Sequence, residues 1–195
     1  MPAPSPLRLS LILGSARHPR FGDRVAAWVQ RECHRLGFDE LDLIDPAELP
    51  LSIHYQPLPH DEWHAFERRL DAADGFIVMT PEYNHGYTAA LKQLIDTVHG
   101  PWQAKPVGFV SYGGISGGLR AVEQLRLVFA ELHAVTLRDT VSFSHARDRF
   151  LEDGTLVDPE REARRLQTLL ARWRWWAHAL RQARRLQPYG TIPPI

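Results

Sequence analysis

The chain has 195 residues, 44% of them hydrophobic, which is enough for a substantial buried core. Its 23 Lys+Arg balance 23 Asp+Glu, so no overall field favours nucleic acid, a membrane surface or an acidic substrate. A single cysteine, Cys33, excludes an intramolecular disulfide and agrees with a reducing compartment. The opening "MPAPSP" has neither the basic nor the apolar region of a signal peptide, and no run approaches the roughly 18 apolar residues of a membrane span. A cytoplasmic protein without nucleic-acid or membrane partners is the expectation.

In chain order, "LRLSLIL" (7–13), "GFIVM" (75–79) and "PVGFVS" (106–111) are short apolar runs rich in β-branched and aromatic residues, as central parallel strands buried on both faces should be. "ELDLID" (40–45) is a further strand. "VTLRDTVSF" (135–143) alternates Val135, Leu137, Asp139, Val141 and Phe143, the pattern of a half-exposed edge strand. Between them run single apolar stripes at helical spacing: Val25, Val29, Cys33 and Leu36; Trp63, Phe66 and Leu70; Leu91, Leu94, Ile95 and Val98; Leu125, Val128, Phe129 and Leu132. A last stripe from Leu166 to Leu180 follows Asp158 and Pro159, which read as an N-cap and a first-turn proline, and stops near Pro188. Strict strand–helix alternation predicts a doubly wound five-stranded α/β sheet, one domain over 1–195 with its core from about 7 to 187.

In such a sheet the ligand lies beyond the carboxyl ends of the strands. Three loops fall on that rim: "GSARHPRFGDR" (14–24), "TPEYNHGYT" (80–88) and "YGGISGG" (112–118). The first suits a phosphate monoester, with a turn at Gly14, the Ser15 hydroxyl, the guanidinium forks of Arg17 and Arg20, and the amides and dipole of the following helix. It is neither a G-x-G-x-x-G dinucleotide fingerprint nor a Walker loop. The competing reading is a solvated arginine-rich turn with Asp23 as helix N-cap.

These three stretches, "GSARHPRFGDRVAAWV", "TPEYNHGYTAALKQLID" and "KPVGFVSYGGISGGLRAVEQLR", resemble the NADPH-dependent FMN reductase family, whose flavodoxin-like members include azo, quinone and chromate reductases. The resemblance runs over roughly residues 7–143. It implies strand order 2-1-3-4-5, bound FMN, a homodimer or homotetramer, and hydride transfer from NADPH or NADH through the flavin to a small-molecule flavin, quinone or azo-type acceptor. By the same resemblance Ser15 and Arg17 meet the phosphate, with Arg20, Phe21, Gly22 and Asp23 closing the cup. Pro81, Glu82, Tyr83 and Asn84 lie against the ribityl chain and ring. Ser111, Tyr112, Gly113 and Gly114 approach the ring from its other side. Arg20 and Asp23 stand where many relatives carry Ser and Asn; the Asp23 carboxylate must turn away from a phosphate. No side chain is required as a nucleophile, because the flavin carries the chemistry.

Two other classes compete. Gly114, Ser116 and Gly118 satisfy the G-x-S-x-G of a serine hydrolase, with Asp139 and His145 following in hydrolase order, although the elbow needs Ser116 tight on the strand end and Tyr112 and Gly113 are expected to have left the strand. A non-catalytic flavin shuttle is the other, disfavoured by the neutral charge. "HDEWH" (60–64) departs from H-E-x-x-H and reads as two solvated histidines, so no metal is expected. The arginines of the last helix read as a solvated face. Trp173, Trp175 and Trp176 cannot share one helix face, which leaves at least one for a subunit interface.

Overall fold

The computed structural model describes residues 6–52, 54 and 59–191. Strands β1 (Leu9–Leu13), β2 (Leu41–Ile44), β3 (Gly75–Pro81), β4 (Pro106–Tyr112) and β5 (Val135–Phe143) alternate with helices α1 (Gly22–Arg35), α2 (His60–Ala72), α3 (Ala89–Asp96), α4 (Leu119–Glu131) and α5 (Glu160–Leu186). All four pairings are parallel, in the order β2-β1-β3-β4-β5. This is the doubly wound, flavodoxin-like sheet the sequence predicts.

The continuous apolar runs make sense once both faces are covered. Residues of opposite parity feed opposite cores: Leu9, Leu11, Ile77, Met79 and Val110 join Val25, Val29 and Trp173 under α1 and α5. Ile12, Phe76, Val78, Val107 and Phe109 join Phe66, Leu94 and Phe129 under α2, α3 and α4. β1, β3 and β4 are buried along their whole length, as strands covered by helices on both sides must be. β5 is the exposed edge, with Leu137, Val141 and Phe143 facing inward and a register shift opposite Val107 and Phe109.

Several local expectations are corrected. α5 starts at Glu160 with Pro159 in the cap position and no side-chain cap, so the Asp158 carboxylate does not serve there. Tyr112 has not left the strand: it closes the ladder opposite Phe143, held by the burial of its ring. The arginines of α5 are not all solvated. Arg181 donates to Asp74 at 3.2 Å and to the Pro6 carbonyl at 3.1 Å, Arg184 reaches Asp74 and the Ala104 carbonyl, and Arg174 lies 4.5 Å over the Phe38 ring. They pin α5 across the amino ends of the strands. Trp173 is fully buried, whereas Trp175 and Trp176 are exposed and stack edge-to-face at 5.1 Å. Among the described residues no helix is long and apolar enough to cross a membrane.

Candidate functional site

The carboxyl ends of the strands open onto a cavity of about 570 Å³, lined by residues 15 and 17–21 of the β1–α1 loop, 81–83 after β3, 112–114 at the end of β4 and 145–148 after β5. The cavity is therefore built by four loops on one rim, where parallel strands must all deliver their carboxyl ends.

The β1–α1 loop is drawn in by close backbone packing. A β-carbon on Gly14 would sit 2.7 Å from the Met79 carbonyl oxygen and 2.8 Å from Thr80 Cα. The Gly14 amide donates to that Met79 oxygen at 2.8 Å, and Thr88, the N-cap of α3, donates its hydroxyl to the Gly14 carbonyl at 2.6 Å. Ser15, nearly buried, accepts from the Arg17 amide at 3.2 Å and shares a hydrogen bond of 3.1 Å with the Tyr83 phenol. Ser15 thereby ties the β1–α1 loop to the loop after β3.

Arg17 and Arg20 have different roles. The Arg20 guanidinium spends its donors within the protein: Nε on Asp23 at 2.6 Å, Nη1 on Asp45 at 2.6 Å and on the Ser15 carbonyl at 3.0 Å, and Nη2 on the second Asp45 oxygen. The Asp45 hydrogen bond raises the Arg20 pKa above its ordinary value; Asp45 in turn stays below the ordinary carboxylate range because Arg20 outweighs the opposing effect of burial. Asp23 is not an N-cap: α1 begins at Gly22 with Phe21 in the cap position, and the Asp23 carboxylate is exposed and paired with Arg20. Arg17 is exposed, lines the cavity, and has no carboxylate partner among the described residues.

The side of the cavity facing the β1–α1 loop is shaped by glycine and by two tyrosines. A β-carbon on Gly114 would meet nothing within 4 Å, so this position faces open space, and its φ is not positive. Gly22 is required by proximity, since its β-carbon would fall 2.5 Å from the Tyr112 hydroxyl. Burial pushes the Tyr112 phenol above its ordinary pKa, with Tyr83 adding in the same direction. Tyr83 is exposed at the cavity mouth.

Glu82 turns its carboxylate to the side. It accepts from Ser116 Oγ at 2.7 Å, from the Arg120 amide at 3.1 Å and from Arg120 Nη1 at 2.7 Å. Burial alone would raise its pKa, yet these bonds hold it below the usual range.

The structure thus brings Ser15, Arg17, Arg20, Phe21, Pro81, Glu82, Tyr83, Tyr112, Gly113 and Gly114 to one cavity. Gly22 and Asp23 stand behind the wall in the first turn of α1, and Asn84 is exposed on the turn beyond it with φ 49°. Ser111 is fully buried inside the sheet with its hydroxyl unpartnered among the described residues, because strand alternation aims it away from Tyr112. The loop after β5 was missed: His145, Ala146, Arg147 and Asp148 line the cavity. The signal is the parallel direction of a fifth strand, which sends its carboxyl end to the same rim.

The hydrolase constellation does not assemble. The Ser116 hydroxyl is donated to Glu82, and Asp139 faces a separate groove with Ser142, Arg161 and Arg165, away from His145. Cys33 is buried, and burial pushes its thiol up to about 12. His60 and His64 are exposed neighbours with ring nitrogens 3.0 Å apart.

The residues present suit a flavin mononucleotide: a guanidinium without a carboxylate partner among the described residues and a hydroxyl beside the amino end of a 14-residue helix are donors of the kind a phosphate takes, and the wall at Gly114 leaves room for a flat ring. Residues 7–148 match the model of the NADPH-dependent FMN reductase family. The chain is 31% identical over 161 residues, 78% of its length and 79% of the other, to an NAD(P)H-dependent FMN reductase of Schizosaccharomyces pombe. It is 32% identical over 145 residues, 68% of its length and 73% of the other, to an NAD(P)H:quinone oxidoreductase of Solanum tuberosum. Its fold is similar to that of a flavoenzyme NAD(P)H:(acceptor) oxidoreductase from Paracoccus denitrificans, with a TM-score of 0.70 and 19% identity over 89% of this chain and 98% of that one. The chain belongs to the NADPH-dependent FMN reductase family.

Proposed function

We propose that the protein transfers reducing equivalents from NAD(P)H through FMN held in the strand-end cavity to small flavin, quinone or azo-type acceptors. As a member of its family it is an oxidoreductase with FMN as flavin and NAD(P)H as co-substrate. The observation that carries the reading is that one cavity combines Arg17, without a carboxylate partner among the described residues, beside the amino end of α1 with a wall left open at Gly114.

In this reading Ser15, Arg17 and the first amides of α1 hold the phosphate, and the Arg20–Asp45 pair holds the loop that presents them. Gly114, whose β-carbon position is open, lets backbone approach the ring edge, where an oriented amide dipole favours a reduced, anionic ring; the Gly113 amide is spent on the Phe143 carbonyl. Bound FMN supplies the acceptance and release of hydride. Tyr83 and Tyr112 bound the space in which co-substrate and acceptor take turns. Quinone-type acceptors are favoured by the quinone oxidoreductases among the relatives.

The test is to purify the protein, titrate it with FMN, and follow NAD(P)H oxidation with a benzoquinone and an azo dye. One FMN per chain and acceptor-dependent oxidation are expected. A protein that ignores FMN but is labelled at Ser116 by a fluorophosphonate is a hydrolase instead.

A further inference from the structure

We propose that Arg147, on the loop after β5, holds the phosphate groups of the dinucleotide co-substrate. The inference rests on the flavin reductase reading above.

The loop that carries Arg147 is fixed on the glycine wall. The His145 amide donates to the Gly114 carbonyl at 2.8 Å and the Ala146 amide to the Gly113 carbonyl at 3.0 Å. Ala146 is buried, and just beyond the loop Phe150 packs on Phe21 at 5.6 Å and on Phe143 at 4.9 Å. The backbone beneath Arg147 is therefore positioned, while its side chain is exposed on the cavity wall.

Charge accounting in the cavity singles this residue out. Arg20 is neutralised by Asp45 and Asp23, and Glu82 by Arg120. Two arginines on the wall, Arg17 and Arg147, have no carboxylate within salt-bridge distance among the described residues, and Asp148 is the acid left without a cation. FMN brings one phosphate, which the β1–α1 loop suits through Arg17, Ser15 and the helix amides. A second unpaired fork, on another loop and exposed at the rim, suits a second anionic ligand that enters from solvent. The co-substrate is that ligand: it carries a pyrophosphate and, in NADPH, a further 2′-phosphate, both matched to a planar guanidinium. Asp148 next to it opposes an anion there, so loss of the Arg147 charge should be felt in full.

Arg147→Ala and Arg147→Lys in the FMN-loaded protein test this. For Arg147→Ala, KM for NADPH should rise by about tenfold while kcat at saturation is retained, as loss of uniform binding requires. Calorimetric affinity for NADP+ should fall in parallel, FMN affinity measured by fluorescence quenching should not change, and Arg147→Lys should restore part of the loss. An equal rise for NADH and NADPH assigns the contact to the pyrophosphate, and a rise confined to NADPH assigns it to the 2′-phosphate; either supports the proposal. Unchanged KM for both co-substrates, or weakened FMN with unchanged riboflavin binding, overturns it. A wild-type protein that takes up no FMN brings down the flavin reading itself and this inference with it, a failure distinct from a loaded protein whose Arg147 variants behave like wild type.

Discussion

The hydroxyl of Ser116 donates to the carboxylate of Glu82 at 2.7 Å, and this bond joins the loop after β3 to the loop before α4. Arg120 completes the clamp from the first turn of α4. Ser116→Ala removes the bond to Glu82 and the one Ser116 Oγ accepts from the Gly118 amide at 3.3 Å, each worth about 1 kcal/mol, while Glu82 keeps Arg120. NAD(P)H oxidation should stay close to wild type and the urea midpoint should fall slightly. Glu82→Ala strips both partners, so it should lower stability more and weaken FMN as well. A folded Ser116→Ala protein with no turnover would contradict this assignment.

The two glycines that flank Ser116 should separate binding from folding. Gly118 has φ 86°, and its β-carbon would lie 2.8 Å from Ser111 Cβ and 2.9 Å from the Tyr112 amide nitrogen. Gly118→Ala is therefore strained twice over and should destabilise by roughly 1–3 kcal/mol. Gly114 has neither constraint. Gly114→Val should melt like wild type yet lose FMN by at least about tenfold, since its isopropyl group fills the cavity. Thermal melts of the apo-proteins and FMN titrations distinguish the two variants.

Arg20 and Asp45 form a largely buried pair, with side chains 15% and 9% exposed. Removing Arg20 leaves the Asp45 carboxylate buried without a cation, which costs about 3 kcal/mol in such sites, whereas removing Asp45 leaves Arg20 with Asp23 and costs less. Arg20→Ala and Asp45→Ala should each destabilise, and the double variant should lose less than the sum of the two. FMN and riboflavin should both bind more weakly to Arg20→Ala, because the loop rather than a phosphate contact is lost. Denaturation of the four proteins closes the cycle.

The strands were legible because burial on both faces leaves uninterrupted apolar runs, as in "GFIVM", and the helices because each shows one stripe. The strand order came from the resemblance and the three loops from the rule that ligands lie beyond the carboxyl ends of parallel strands; ten of the fourteen residues the resemblance named line the strand-end cavity. Arg20 could not be read: its partner Asp45 lies 25 residues on, after a different strand, and no local spacing signals that pairing. The same holds for Arg181 and Asp74, 107 residues apart, which turn a presumed solvated face into a structural latch. Arg147 sits in a short polar turn with no motif of its own. Only the topology, which sends every strand's carboxyl end to one rim, brings it to the site.

Lys105 gives the fold a pH signature. Its buried ammonium donates to the Leu70 and Asp71 carbonyls at the end of α2, and burial, with Arg184 adding, pushes its pKa from 10.5 to about 8. Below about pH 8 the folded and unfolded chains both carry the charge, and the burial cost is fully present. Between about pH 8 and 10.5 the unfolded chain binds more protons, so this residue's contribution rises with pH, by at most about 3 kcal/mol. Cys33 works in the opposite sense from about pH 9 upward, because its thiol is held neutral to about 12 in the fold. Comparing wild type with Lys105→Met isolates the lysine: the stability difference should move in favour of wild type across that window. A pH-independent difference would mean the ammonium is not desolvated.

Parallel titrations with FMN and riboflavin test whether the strand-end cavity holds FMN with its phosphate on Arg17. The exposed Arg17 side chain has no carboxylate partner among the described residues, and its amide hydrogen bond to Ser15 survives substitution, so Arg17→Ala should fold as stably as wild type and lose a charge-assisted contact of about 1.5–3 kcal/mol, a ten- to hundredfold loss of FMN affinity. Riboflavin, which lacks the phosphate, should bind the variant and the wild type alike. Equal losses for the two ligands, or none for either, would contradict the assignment of the β1–α1 loop as the phosphate site.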